Sequence, residues 1–364
     1  MEGLGLSPPF WRNKRILLTG HTGFKGSWLS LWLQQLGANV TGFALPPDTT
    51  PNLFELAGID QHLVSCIGDI QDYQQVSACV QQCDPEIIIH MAAQPIVSLG
   101  YQDPLLTFNT NVMGTANLLQ AARECKNLQI ILVVTSDKCY DNANHVAHKE
   151  SDPLGGDDPY SASKAACEMV AHSFRESFFK QRNIHLATAR AGNVFGGGDW
   201  SSDRLIPDIM RSISNHENLL IRSPDAIRPW QFVLEPLCGY LLLLQKMATA
   251  NADGQYNQAW NFGPAPQDEL PVRQVLAMLA DIYARQSGKS LAYTLVAKPV
   301  LKESLVLKLD SSKARTELGW QPRLDILSAL AETVSWYQRA HEQPTDVRKQ
   351  CLALLDCYIG RAAR

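Results

Sequence analysis

Tyr160 and Lys164 stand one helical turn apart in the run Tyr160-Ser161-Ala162-Ser163-Lys164. Residues four apart on a helix share a face, and an ammonium beside a phenol stabilises the phenolate and lowers its pKa. Tyr160 is therefore a candidate base near neutral pH. Ser136 follows a β-branched run over 129–135, at the C-terminal end of a strand, where open α/β sheets hold their ligands. Its hydroxyl can hold the oxygen that Tyr160 deprotonates. Two ionisable residues, Asp137 and Lys138, come directly after it. A phosphate loop accompanies this group in Thr19-Gly20-His21-Thr22-Gly23-Phe24-Lys25-Gly26. Gly20 permits the tight turn, Gly23 lets the backbone approach a pyrophosphate, and Gly26 lets helix and strand pack closely. The free amides of the helix N-terminus then face the phosphates. Thr22, Phe24 and Lys25 are counted with these glycines as cofactor residues.

The elements that must position these groups alternate. Strands are expected over 15–19, 39–44, 63–67, 86–91 and 129–135, with helices over 26–36, 71–82, 107–124 and 161–179. The first helix has an apolar face of Trp28, Leu29, Trp32, Leu33 and Leu36, with Gly37 as its stop. Strand alternating with helix implies parallel pairing in a doubly wound α/β sheet of Rossmann type. Gly68-Asp69-Ile70, after the third strand, suits a place for Asp69 beside an adenine and equally a plain turn; Asp69 and Ile70 are counted in the cofactor set. Ala92 and Ala93 after the fourth strand, and Thr135 ending the fifth, join the cofactor set. An acid at the end of the second strand, expected for the ribose hydroxyls, is missing from Gly42-Phe43-Ala44-Leu45, and no Arg replaces it for a 2′-phosphate. NAD is thus favoured over NADP. Beyond Ala191 glycines and prolines crowd up to Pro236, and helices are expected over 272–286 and 326–341. We expect 1–192 to bind the dinucleotide with 229–262 returning to it, and 193–228 with 263–364 to form a smaller, mostly helical substrate lobe.

Composition narrows the partners. Of 364 residues, 45% are hydrophobic and 19% charged, with a net charge of −4. This gives no electrostatic reason to expect nucleic acid or an anionic membrane. No apolar stretch approaches a membrane span, and the start does not read as a signal peptide. Nine cysteines are scattered singly; Cys79 and Cys83 suit one helical face, and no metal is expected. A reduced, cytoplasmic protein is the expectation. His90, at a strand end, reads as a core histidine.

Gly20-x-x-Gly23-x-x-Gly26, Ser136 and Tyr160-x-x-x-Lys164 resemble the extended short-chain dehydrogenases acting on nucleotide sugars. Longer runs resemble the CDP-glucose 4,6-dehydratases in particular: Gly20 to Gly26, Thr135-Ser136-Asp137-Lys138-Cys139-Tyr140-Asp141-Asn142, Arg190-Ala191-Gly192-Asn193-Val194 with Gly196-Gly197-Gly198-Asp199-Trp200, and Ile227-Arg228-Pro229-Trp230. The likeness spans Trp11 to Trp336. It implies oxidation of a hexose at C4, loss of the C5 proton and the C6 hydroxyl as water, and return of the hydride to C6. By this resemblance Asp137 is the acid for the C6 oxygen and Lys138 the candidate base for C5. Lys138 must then be neutral, which burial or the nearby Lys164 would favour. Dehydratases acting on dTDP-glucose carry Glu in its place. Arg228 clamps the diphosphate, with Asn193, Arg204 and Gln94 as further substrate contacts. The family usually has Arg where this chain has Ser98. A homodimer through the 107–124 and 161–179 helices is also implied; those apolar faces equally suit core helices. An epimerase would keep the redox residues but have no use for Asp137-Lys138, and a protein that only senses NAD would be expected to lose Tyr160 or Lys164.

Overall fold

A β-branched run flanked by helices on both faces must bury both of its own faces, which favours Ile, Val and Leu throughout. The computed structural model describes residues 2–141, 146–215, 217–249, 254–295 and 304–361. Asn142, the last residue of the run from Thr135, lies outside them. Seven strands form one sheet: β1 Arg15–Thr19, β2 Asn39–Ala44, β3 Val64–Ile67, β4 Ile87–His90, β5 Ile130–Val134, β6 His185–Ala191 and β7 Ala259–Phe262. All pair in parallel in the order β7-β6-β5-β4-β1-β2-β3. The order reverses beside β1, so β1 and β4 open a crevice at their C-terminal ends. The expected strands agree with the first five to within a residue or two.

Helices α1 Phe24–Gln35, α2 Tyr73–Cys83, α3 Gly114–Ala122 and α4 Pro159–Phe174 connect the strands. Gly37, at φ 81°, ends the first helical segment as expected. Asp72 caps α2 by accepting from the amides of Gln74 and Gln75, and Asp158 caps α4 by accepting from that of Ser161. Two helices run on through π turns, at Asn109–Met113 before α3 and Arg175–Phe179 after α4. The single apolar face expected for α1 is an underestimate, since every residue from Gly26 to Leu33 is buried. The helix α9 (Val347–Gly360, below) roofs it, setting Tyr358 edge-on to Trp32 at 5.8 Å.

After β6 come α5 Leu205–Asn215, α6 Leu234–Thr249, α7 Val272–Ser287, α8 Ile326–Glu342 and α9. Two short pairings, Val194–Phe195 with Gln231–Phe232 and Ile227–Pro229 with Glu269–Pro271, hold this region beside the sheet's C-terminal edge. Among the described residues no helix is long and apolar enough to cross a membrane, and no cluster of His, Cys, Asp or Glu could hold a metal. All nine cysteines are free thiols.

Glu235, at the start of α6, anchors the C-terminal region. Its Oε1 accepts from the amides of Arg323 and Leu324, both at 2.9 Å, and its Oε2 accepts from the Tyr358 hydroxyl at 2.7 Å. Burial pushes its pKa up to about 7, against the pull of those donors. A carboxyl raised on folding adds stability that is complete below its unfolded pKa and lost as pH rises through the folded one. Denaturant midpoints should therefore fall between about pH 4.5 and 7, by on the order of 3 kcal/mol for this group. Glu235→Gln should flatten that slope, and an unchanged slope would assign it to other groups.

Candidate active site

The phosphate loop is built by close approaches that only glycine allows. Gly20 has φ 76°, and a Cβ there would lie 2.8 Å from the Ala92 amide nitrogen; one on Gly26 would lie 2.0 Å from the Gly20 oxygen. Gly23 differs, because a Cβ there would meet nothing closer than that same oxygen at 3.5 Å. Packing does not demand glycine at this point, so the space before it is room for a ligand. Gly23 is also the N-cap of α1 and supplies no side chain to its first turn, leaving amides that suit an anion. These residues fit a dinucleotide's pyrophosphate. Thr22 donates to the Leu45 carbonyl at 2.8 Å, closing the loop against the end of β2.

The missing ribose acid has a structural reason. The His21 ring lies over Gly42 so closely that a Cβ there would come within 2.3 Å of it, and its Nε2 meets the Ser65 hydroxyl at 2.8 Å. Strand β2 carries glycine to admit that ring. Asp48, beyond Pro46-Pro47, lines the same edge of the cleft and was missed because it lies outside the strand. Phe24, Lys25, Asp69, Ile70, Ala92, Ala93 and Thr135 also line the cleft, whose volume is about 610 Å³. Lys25 donates to the Tyr240 hydroxyl at 2.9 Å, and burial, with Lys164 and Arg204 adding repulsion, lowers its pKa to about 7.

Ser136, Asp137, Tyr160 and Lys164 are all buried and line this cleft with half-buried Lys138. Ser136 donates to Asp137 Oδ1 at 2.9 Å and accepts from the Lys138 amide at 3.2 Å, capping the turn Asp137–Cys139. Asp137 Oδ2 is buried without a partner. Burial raises the pKa of this carboxyl, with Lys138, Ser136 and Arg228 opposing; it is poised to hold a proton. Lys164 donates to the Val134 carbonyl at 3.5 Å, and burial lowers its pKa. The phenol differs from expectation. Burial pushes Tyr160 up to about 12, with Asp137 and Asp158 adding to it, while Ser136 and Arg204 pull it back. Desolvation of the phenolate outweighs its neighbours in the protein alone.

On the far side of the cleft lie Asn193, Arg204 and Arg228. Arg204 pairs with buried Asp199 at 3.1 Å, and Arg228 Nη1 donates to the Ile227 carbonyl at 2.9 Å. Gln94 is not brought to the cleft: its amide donates to Thr107 Oγ1 at 2.8 Å and accepts from the Ile96 amide at 2.5 Å. Ser98 instead donates to Asp203 at 2.5 Å, and Asp203 pairs with Arg222 at 2.7 Å, across the cleft mouth. His90 lies in the core between the hydroxyls of Thr19 and Thr115, at 2.7 and 3.0 Å.

A family model described as GDP-mannose 4,6 dehydratase matches residues 17–333. The chain is also 45% identical over 335 residues to the CDP-glucose 4,6-dehydratase of Salmonella typhimurium, covering 90% of this chain and 92% of that protein. The chain belongs to the GDP-mannose 4,6-dehydratase family. The chain is also 27% identical to a dTDP-glucose 4,6-dehydratase of Xanthomonas campestris, over 88% of this chain and 92% of that one. Among solved structures, DesIV, a dTDP-glucose 4,6-dehydratase from Streptomyces venezuelae with NAD bound, superposes with a TM-score of 0.76 at 26% identity, covering 91% of this chain and 99% of that one. A UDP-glucose 4-epimerase from Thermotoga maritima has the same fold, with a TM-score of 0.76 at 21% identity over 90% of this chain and 99% of that one. The acid after Ser136, rather than the fold, therefore carries the argument for elimination in this dehydratase-family chain.

Proposed function

We propose that the protein dehydrates CDP-glucose to CDP-4-keto-6-deoxyglucose with NAD as its cofactor. The observation that carries this reading is Asp137, a buried carboxyl with one unpartnered oxygen and a raised pKa, bonded to Ser136 in the redox site. A 4-epimerase needs no such acid. Tyr160 takes the C4 hydroxyl proton while Ser136 holds that oxygen and Lys164 stabilises the phenolate. Lys138, at the cleft surface, removes the C5 proton and returns it to C5 as the hydride reaches C6, while Asp137 gives its proton to the departing C6 oxygen, which leaves as water. A bound NAD would supply the acceptor for the C4 hydride and the donor that returns it at C6. Gly20, Gly23, Gly26 and the first turn of α1 hold its pyrophosphate. Arg228, Arg204 and Asn193 hold the substrate diphosphate.

We further read residues 1–192 with 229–262 as the dinucleotide domain and the remainder as the substrate lobe. A homodimer would bury Leu105 and Met113, beside α3, and Met169 on α4, which are 73%, 52% and 67% exposed. A cytoplasmic location suits nine free thiols. The deciding experiment supplies NAD with CDP-glucose and, in parallel, dTDP-, UDP- and GDP-sugars. Loss of one water from CDP-glucose alone is the expected result. Loss from another sugar nucleotide would move the specificity and direct attention to Ser98. A product of unchanged mass inverted at C4 would overturn the proposal.

A further inference from the structure

Behind the redox site lies a carboxylate that no proposed step uses. Glu168 falls one turn beyond Lys164 on α4, on the same helical face, and is buried. Four donors surround its two oxygens. Oε1 accepts from Thr135 Oγ1 at 2.5 Å and Arg190 Nε at 3.0 Å; Oε2 accepts from Thr188 Oγ1 at 2.6 Å and Arg190 Nη2 at 2.9 Å. Thr135 is the residue directly before Ser136, while Thr188 and Arg190 lie on β6. Arg190 reaches on to the Tyr140 hydroxyl at 2.7 Å, which donates to Asn261 of β7 at 2.7 Å. We infer that Glu168 is a positioning residue for the reaction proposed above, tying the helix that carries Tyr160 and Lys164 to the strand end that carries Ser136.

Cohesion alone does not account for such a group. Desolvating two charges offsets most of what a buried ion pair returns, and an apolar pair of similar volume often holds a fold equally well. Hydrogen bonds with fixed directions add orientation. The bond from Thr135 sets the rotation of the chain leading into Ser136, and the arginine fork sets how far α4 stands from β6. Positions near 1 Å wrong cost about 100-fold in rate where reacting groups must align.

The charge of Glu168 supports the same role. Burial lowers the Lys164 pKa, while Cys167, Glu168 and Cys139 raise it, and Glu168 is the only carboxylate of these three. Lys164 also faces half-buried Lys25 and buried His90. Tyr160 is pushed up by Asp137 and Asp158 and drawn down by Ser136 and Arg204. With these groups unchanged, losing Glu168's charge leaves Lys164 less often protonated and the Tyr160 phenolate harder to form. The alkaline shift expected in the rate profile follows from that sign.

The test compares Glu168→Gln, Glu168→Asp, Thr135→Val and Thr135→Ser with the wild type. Glu168→Gln removes the charge and sets an amide N–H against the donor fork. Its kcat per folded protein should fall at least ~10-fold with KM for the sugar nucleotide within about twofold. The acid limb of its kcat profile should move to higher pH, and Glu168→Asp should bring that limb back. Thr135→Val removes the hydroxyl bonds to Glu168 and to the Ala189 carbonyl and should lose about 3- to 10-fold in kcat, and Thr135→Ser, which keeps the hydroxyl, should bring kcat back toward the wild-type value. A spectroscopic titration of the Tyr160 phenol, with Tyr160→Phe as blank, reads the Glu168 effect without any substrate. It thus separates failure of this inference from failure of the assigned reaction. A lower Tm in Glu168→Gln with kcat, acid limb and phenol titration all unchanged would reduce Glu168 to a structural group. If that variant does not fold, an unchanged kcat in Thr135→Val overturns the inference.

Discussion

Tyr160→Phe should reduce turnover by about 10³- to 10⁴-fold, at the upper end of what one acid–base group contributes. It should do so at the first step: on mixing with substrate, no reduced nicotinamide should absorb. Only the hydroxyl is removed, and Ser136 keeps its bonds to Asp137 and the Lys138 amide, so the fold and NAD affinity should change little. The pH profile adds a second reading. In the bound complex, wild-type kcat should climb with pH as the phenolate fraction of Tyr160 grows. That limb should vanish in the variant. A variant retaining more than about a tenth of wild-type turnover would remove Tyr160 as the base, since another group would then be taking the C4 proton.

Much of the scaffold behind this chemistry could be read from residue order. Buried parallel strands must be apolar on both faces, so Ile130–Val134 and Ile87–His90 stand out without reference to anything distant. The glycine loop is equally local, because one tight turn and one close helix–strand approach dictate Gly20 and Gly26. What resisted reading depends on partners far along the chain. The all-round burial of α1 needs Tyr358, more than 300 residues later. Gln94 precedes a proline beside the expected site, and nothing in that run reveals that Thr107 and Ile96 consume its amide. Asp48 sits past two prolines, outside the strand where an acid would be sought. Glu168 is one polar position on a helix in the sequence, and only the fold brings Arg190, Thr135 and Thr188 around it. The direction of the Tyr160 shift was misjudged for a related reason: the Tyr-x-x-x-Lys spacing shows the cation but not the depth of burial, which here is the larger effect.

Asp137→Asn separates oxidation from elimination. Asparagine keeps the shape and can still accept from Ser136, but it cannot give up a proton to the C6 oxygen. Water loss should slow by about 10²- to 10³-fold, while C4 oxidation by Tyr160 continues and reduced nicotinamide accumulates on mixing. Stability should move the opposite way. Asp137 has a buried, unpartnered oxygen and a pKa raised by desolvation. The linkage sign follows: its contribution is favourable only while it stays protonated, and stability is lost as pH rises beyond its unfolded pKa. The amide carries no charge to desolvate, so the variant should be more stable than the wild type at neutral pH by about 1 kcal/mol. The gain should vanish at low pH, where both side chains are neutral. A slower and more stable variant is what a group kept for chemistry at the expense of the fold must produce. Unchanged turnover would take Asp137 out of the reaction, and lost stability would mean that its carboxylate holds the turn after Ser136 together.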